Sequence, residues 1–114
     1  MARYLCRAEV SAKIEIALDA DLDYEAEFEG EVLSDGINMG LERCIRCPLA
    51  QHYLAGTVEI EVEAEDEEEA ERIAAETIED TKKWSAASYV AGQEVFSTYV
   101  DEVVVESLEV EEIG

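Results

Sequence analysis

Cys44-Ile-Arg-Cys47 is the tightest grouping of metal-capable side chains in this sequence, and Cys6 and the single histidine, His52, would complete a set of four. A C-x2-C pair is the usual half of a tetrahedral zinc site, and three thiolates with one imidazole make a Cys3His shell. The other half lacks a close pair of its own. Cys6 also shares parity with Tyr4, Ala8 and Val10, which places it in a core as a small hydrophobe. Redox chemistry at Cys44 and Cys47 would want an activating helix N-terminus, whereas the spacing around Cys44 predicts the C-terminal end of a helix; Cys47, just before Pro48, and the adjacent Arg46 keep that option open. Asp19-Ala-Asp21-Leu-Asp23-Tyr-Glu25 starts like a calcium loop, but Tyr24 stands at its sixth position, where Gly is needed, and Gly30 at its twelfth, where a bidentate Glu belongs. No Gly-rich phosphate loop, nucleophile elbow or His-Glu-x-x-His stretch occurs, and a lone His52 is more often structural than catalytic. The expectation is a protein that is not an enzyme and takes no cofactor.

Carboxylates offer a different chemistry, that of a charged surface. Thirty acidic residues against eight basic ones give 114 residues a formal charge of −22, which repels itself and opposes compaction. Nucleic acid and anionic membrane are excluded as partners, since either would add like charge to like charge. The acids are also ordered. From Val10 to Val32 apolar residues hold even positions (Val10, Ala12, Ile14, Ile16, Leu18, Ala20, Leu22, Tyr24, Ala26, Phe28, Val32), and Asp21, Asp23, Glu25, Glu27, Glu29 and Glu31 hold odd ones. Glu59, Glu61 and Glu63 repeat the code between Val58, Ile60, Val62 and Ala64. A period of two sends each set to one face of a sheet. Same-face carboxylates on a strand stand roughly 6.6–6.8 Å apart, so two adjacent acidic strands would carry about one charge per 3.4 Å, the phosphate density of one DNA strand. These nine residues are the candidate partner-binding site, and its partner is the basic surface of a nucleic-acid-binding protein or complex.

The elements that must hold these groups follow from the same periodicities. The first alternating run exceeds an ordinary strand and is expected to fold back near Ala20, with Ile16 opposite Tyr24, Ile14 opposite Ala26 and Ala12 opposite Phe28. Residues 34–56 carry helical spacing at Ile37, Leu41, Cys44 and Ile45, and Pro48 can open a further helical turn through Tyr53 before Gly56 stops it. A strand follows at 58–64. Asp66 then caps a helix over about residues 67–80, or one extending past Trp84, with Ala70, Ile73, Ala74, Thr77 and Ile78 as its apolar stripe. After Gly92 come strands 95–100 and 103–110, or one strand bulged at Asp101 and Glu102. Trp84, Tyr89, Phe96 and Tyr99 read first as core and second as an interface with a partner. The fold class expected is α+β: an antiparallel sheet of about four strands with two helices on one face, in the order β-β-α-β-α-β, as a single domain over residues 1–114. The opening Met-Ala-Arg-Tyr-Leu-Cys carries no apolar leader segment and no run reaches a membrane span, so a cytoplasmic location is expected.

The segment Thr57-Val-Glu-Ile-Glu-Val-Glu-Ala-Glu-Asp-Glu-Glu-Glu-Ala-Glu-Arg-Ile-Ala, an alternating strand running into an Ala-x-x-Ile-Ala helix, resembles a unit common in small phage and mobile-element proteins, some anti-CRISPR proteins among them. The likeness covers about residues 57–80. It implies a small acidic inhibitor that occupies the nucleic-acid channel of a host defence complex, in some cases as a DNA mimic, and it carries over no functional residue. Two alternatives stand beside it. One is a halophile's housekeeping or structural domain whose acids serve solvation, in keeping with only three lysines, although 23 Glu against 7 Asp, concentrated on strand faces, lean toward a binding surface. The other is a small zinc-binding module on Cys6, Cys44, Cys47 and His52.

Overall fold

The computed structural model describes residues 1–17, 23–33, 37–38 and 49–114, and over these the protein is mostly β. Its strands are β1 (Ala2–Ala17), β2 (Asp23–Phe28), β3 (Glu31–Leu33), β4 (Ile37–Asn38), β5 (Leu49–Ala64), β6 (Trp84–Val90), β7 (Gln93–Thr98) and β8 (Val100–Glu112). One helix, α1 (Glu67–Ile78), and a 3-10 turn at Thr81–Lys83 complete them. The strands make two antiparallel sheets, ordered β4-β5-β1-β8 and β3-β2-β6-β7. This overturns the single four-stranded sheet with two helices on one face. The described residues hold one α-helix, and the second layer is a sheet.

Parity decides which face is buried, as the alternation requires. Tyr4, Cys6, Ala8, Val10, Ala12 and Ile14 on β1 are all buried, as are Tyr24, Ala26 and Phe28 on β2. The two inner faces share one core of Ala8, Val10, Ala12 and Ile14 with Tyr24, Ala26, Phe28, Leu33, Leu54, Val58, Trp84 and others. A second cluster, of Tyr4, Cys6, Val62, Ala64, Ala70 and Ala74, lies where α1 covers the other end of the first sheet. Sheet and helix thus cover successive lengths of one long face. That explains why β1 runs 16 residues, roughly 53 Å at 3.3 Å per residue, without folding back. The molecule's longest dimension is 50 Å.

The β1–β2 hairpin expected at Ala20 is therefore replaced. β1 pairs with β5 over its whole length, from Ala2↔Ala64 to Ala17↔Leu49, and with β8 on its other side. β2 pairs with β3 and β6. Ala12 and Phe28 belong to the same core but to opposite layers of it. Residues 18–22, including the proposed turn and Asp21, lie outside the described residues, as do 34–36 and 39–48 with Cys44 and Cys47.

The helical reading of 34–56 fails wherever it can be checked, because Ile37–Asn38 and Leu49–Ala64 are strands and pair as Ile37↔Leu54 and Asn38↔Tyr53. Gly56 is where β3 crosses close. A Cβ there would run into the Cδ2 of Leu33 and lie 3.2 Å from its Cγ and 3.3 Å from its Cα. Glycine at that position permits an inter-sheet contact rather than ending a helix. The helix at 67–78 is as expected, with Asp66 Oδ1 accepting from the Glu69 N–H at 2.8 Å and Ala70, Ala74 and Ile78 buried on one side. It ends before Trp84, which opens β6 and donates its indole N–H to the Ile78 carbonyl at 2.6 Å while its ring lies 5.0 Å from that of Phe28. β7 and β8 are separate strands in different sheets, and β8 is bulged twice against β1, between the partners of Glu9 and Val10 and again at Asp101. No helix among the described residues is long and apolar enough to cross a membrane.

Candidate acidic binding faces

The eight candidate carboxylates among the described residues, all but Asp21, do not form one wall. Asp23, Glu25 and Glu27 point outward from β2, in the second sheet, while Glu59, Glu61 and Glu63 are exposed on β5, in the first. Because the inner faces of the two sheets meet in one core, the outer faces point away from each other. The ribbon expected from 21–31 beside 58–65 is thus divided between opposite sides.

Glu29 and Glu31 leave the pattern for a local reason. Glu29 (φ 38°) and Gly30 (φ 102°) form a two-residue turn with positive φ at both positions, and such a turn exchanges parity across the hairpin. Val32 therefore pairs with Glu27 on the outer face and is 49% exposed, whereas Glu31 is opposite Phe28 at the edge. Glu29 is held by Lys83, whose Nζ lies 3.1 Å from its Oε1.

On the outer face of the first sheet the acids come in rows with a basic row between them. Register places Arg3 beside Glu63, Leu5 between Glu61 and Glu111, and Arg7 between Glu59 and Glu109. Arg7 is bound to Glu59, Nη2 to Oε1 at 2.6 Å and Nε to the same oxygen at 2.7 Å. That hydrogen bond and charge, followed by Glu109 and Glu111, hold its guanidinium above its ordinary pKa. Two rows of carboxylates about 9.6 Å apart, two strand spacings, thus flank a row that neutralises part of their field. Farther along, where β3 approaches β5, a shallow depression of about 450 Å³ is lined by Glu9, Ser11, Thr57 and Glu106 of the first sheet and by Val32 of the second, with the Ser11 hydroxyl donating to Glu106 at 3.1 Å.

The outer face of the second sheet is different. Asp23 and Glu94 flank Tyr89 in register, and Glu25 and Glu27 follow along β2 beside Ala87 and Ser85. Among the described residues of β2, β3, β6 and β7 there is no Lys or Arg. Partial burial, then Glu25, Glu94 and Glu27, push the Tyr89 phenol above its ordinary pKa. Glu94 was absent from the candidate residues, since the strand at 93–98 does not alternate. Tyr89 itself is half-buried on this outer face, Trp84 is core as expected, and Tyr99, expected in the core, is 87% exposed.

The metal-capable residues are not brought together where they can be followed. Cys6 is fully buried under α1, its thiol 4.0 Å from the Ala70 carbonyl, and burial followed by Glu71 raises its pKa. His52 pairs with Ile14, eight residues along β1 from Cys6, roughly 26 Å at 3.3 Å per residue. No cluster of three or more His, Cys, Asp or Glu suited to a metal occurs among the described residues. No protein-family model matches the chain, no curated protein matches its sequence, and no solved structure matches its fold.

Proposed function

We propose that this chain is a small acidic inhibitor, of the anti-CRISPR kind encoded by phages and mobile elements, which occupies the Lys/Arg-lined nucleic-acid-binding surface of a host defence complex in the cytoplasm. One observation carries this reading: Asp23, Glu25, Glu27 and Glu94 surround Tyr89 on an exposed sheet face without a cation among the described residues of its four strands. A face of that kind, with Lys83 on Glu29 at its end as the one described cation beside it, keeps most of its field and meets a basic groove with complementary potential and a fast, salt-dependent approach. Tyr89 adds an aromatic face onto which a guanidinium can stack. The chain would bind protein, neither nucleic acid nor membrane. The test is displacement of labelled DNA or RNA from a purified nucleic-acid-guided nuclease complex. The parent should compete, less so as salt rises, and Glu25→Lys/Glu27→Lys/Glu94→Lys should not; a triple variant that competes equally well refutes the reading.

A second reading, acids that serve solvation in a salty cytoplasm, is favoured by their spread: both outer sheet faces carry them, and Glu67, Glu68, Glu71, Glu76 and Glu79 are exposed on and beside α1. Circular dichroism against salt separates the two. A solvation domain unfolds in dilute buffer, whereas the inhibitor stays folded and loses only affinity for its partner as its charges are screened.

A further inference from the structure

We propose that the free edge of β8 over Ser107–Glu112 is a strand-addition site for an extended basic segment, one alternating Lys or Arg with Val, Ile or Leu. β8 ends its sheet, so its side away from β1 pairs with no described strand. Register along this stretch is unbroken, from Glu9↔Ser107 to Tyr4↔Glu112. The Ile113 N–H donates to the Arg3 carbonyl at 2.8 Å, which sets the phase. In antiparallel pairing, backbone groups alternate between the two sides of a strand, so those of Ser107, Glu109 and Glu111 face β1 and those of Leu108, Val110 and Glu112 face outward. Three N–H groups and three carbonyls thus line about 20 Å of open edge. The bulge beyond Ser107 closes the site at one end.

Charge identifies the occupant. Across the outer face the rows read acid on β5, base on β1 and acid on β8, with Arg7 already committed to Glu59. Glu109 and Glu111 have a basic row on one side only, and the next row that satisfies them is basic. A second copy of this chain is the wrong occupant, since β8 against β8 in the antiparallel register that pairs the whole edge, Val110 opposite Val110, sets Glu109 opposite Glu111 in both directions, and directly opposed like charges destabilise a sheet. On the inner face Leu108 and Val110 are half-buried at the rim of the core, so the alternate positions of an added strand should be apolar.

The site is independent of the face around Tyr89, and the test separates them. The probe is a fluorescent hexapeptide of alternating Lys and Val, titrated by anisotropy into the full chain at a salt concentration where it is folded. The control has the same composition as a block of three Val followed by three Lys. The alternating peptide should bind about tenfold more tightly than the block, and Glu109→Gln/Glu111→Gln should remove about that factor, the sum of two cross-strand charge pairs. Methylating the Val amides, which point at β8, should abolish binding; methylating the Lys amides, which point away, should not. Equal binding by the block peptide or by the Val-methylated peptide overturns the proposal, as does an absence of binding. So does binding that is lost in Glu25→Gln/Glu27→Gln/Glu94→Gln and kept in the Glu109/Glu111 variant.

Discussion

The contact of Gly56 with Leu33 joins the two layers, and replacing Gly56 by alanine tests whether they pack as described. The added methyl would overlap the Leu33 Cδ2, with Cγ at 3.2 Å and Cα at 3.3 Å. A terminal methyl can often swing aside, but Leu33 is 1% exposed within the core. Its Cα is tied by the pairing with Ala26. Overpacking of this sort costs about 1–3 kcal/mol, while losing a glycine's unfolded-state entropy returns about 0.4–1 kcal/mol, so Gly56→Ala should destabilise by roughly 1–2 kcal/mol. Leu33→Ala alone should cost about 2–5 kcal/mol through its cavity. In the double variant the new methyl occupies space that Leu33 has vacated, so the pair should fall short of the sum by at least about 1 kcal/mol. Urea unfolding at fixed salt, followed by the fluorescence of the single tryptophan, Trp84, buried beside Phe28, reads all four corners of the cycle. A Gly56→Ala protein as stable as its parent, or a double variant additive within about 0.5 kcal/mol, would refute the crossing of β3 over β5.

Three further outcomes are expected. Asp66→Ala should cost about 1 kcal/mol by removing the cap on the Glu69 amide, and Asp66→Asn should keep most of it, both by urea unfolding. Trp84→Phe strands the buried Ile78 carbonyl and should cost about 1–3 kcal/mol, measured by circular dichroism because the fluorophore is gone. Tyr89 binds its proton more tightly in the folded chain than at its ordinary pKa of 10.0, so its contribution to stability is complete below about pH 10 and is lost as pH rises through the folded value. Glu25→Gln/Glu27→Gln/Glu94→Gln should shift its absorbance titration, isolated by subtracting Tyr89→Phe, back toward 10.0.

Parity was legible because it depends on each strand alone: every described even position from Tyr4 to Ile14 is buried, and so are Tyr24, Ala26 and Phe28. The helix was legible for the same reason, through Asp66 and the Ala70, Ala74, Ile78 spacing. Strand partners were not, since parity is satisfied equally by a neighbour in the same sheet and by a facing layer. β6 escaped the reading because its inner face includes the polar Ser88 beside Trp84 and Ala86 while Ala87 and Tyr89 lie on the outer face, so hydropathy does not alternate along it. Along β5 the apolar Tyr53 and Ala55 on the outer side blur the period before Gly56 interrupts it. The candidate site inherits these limits: local acids were read correctly as outward at Asp23, Glu25, Glu27, Glu59, Glu61 and Glu63, but their division between two faces, and the place of Glu94 among them, depend on pairing.

That division changes what the charge can do. The thinnest dimension of the molecule is 20 Å, while the Debye length is about 10 Å at 0.1 M salt and 30 Å at 0.01 M. In dilute buffer both faces contribute to the potential a basic partner feels, and reversing charges on one is partly masked by the other. At 0.1 M each face acts separately, and the Tyr89 face, lacking a basic row like Arg3 and Arg7, should dominate encounter. Association rates measured at both salt concentrations for Glu25→Lys/Glu27→Lys and for Glu61→Lys/Glu63→Lys therefore weigh the two faces directly. If both variants slow association equally at 0.1 M, total charge and not face geometry governs the approach.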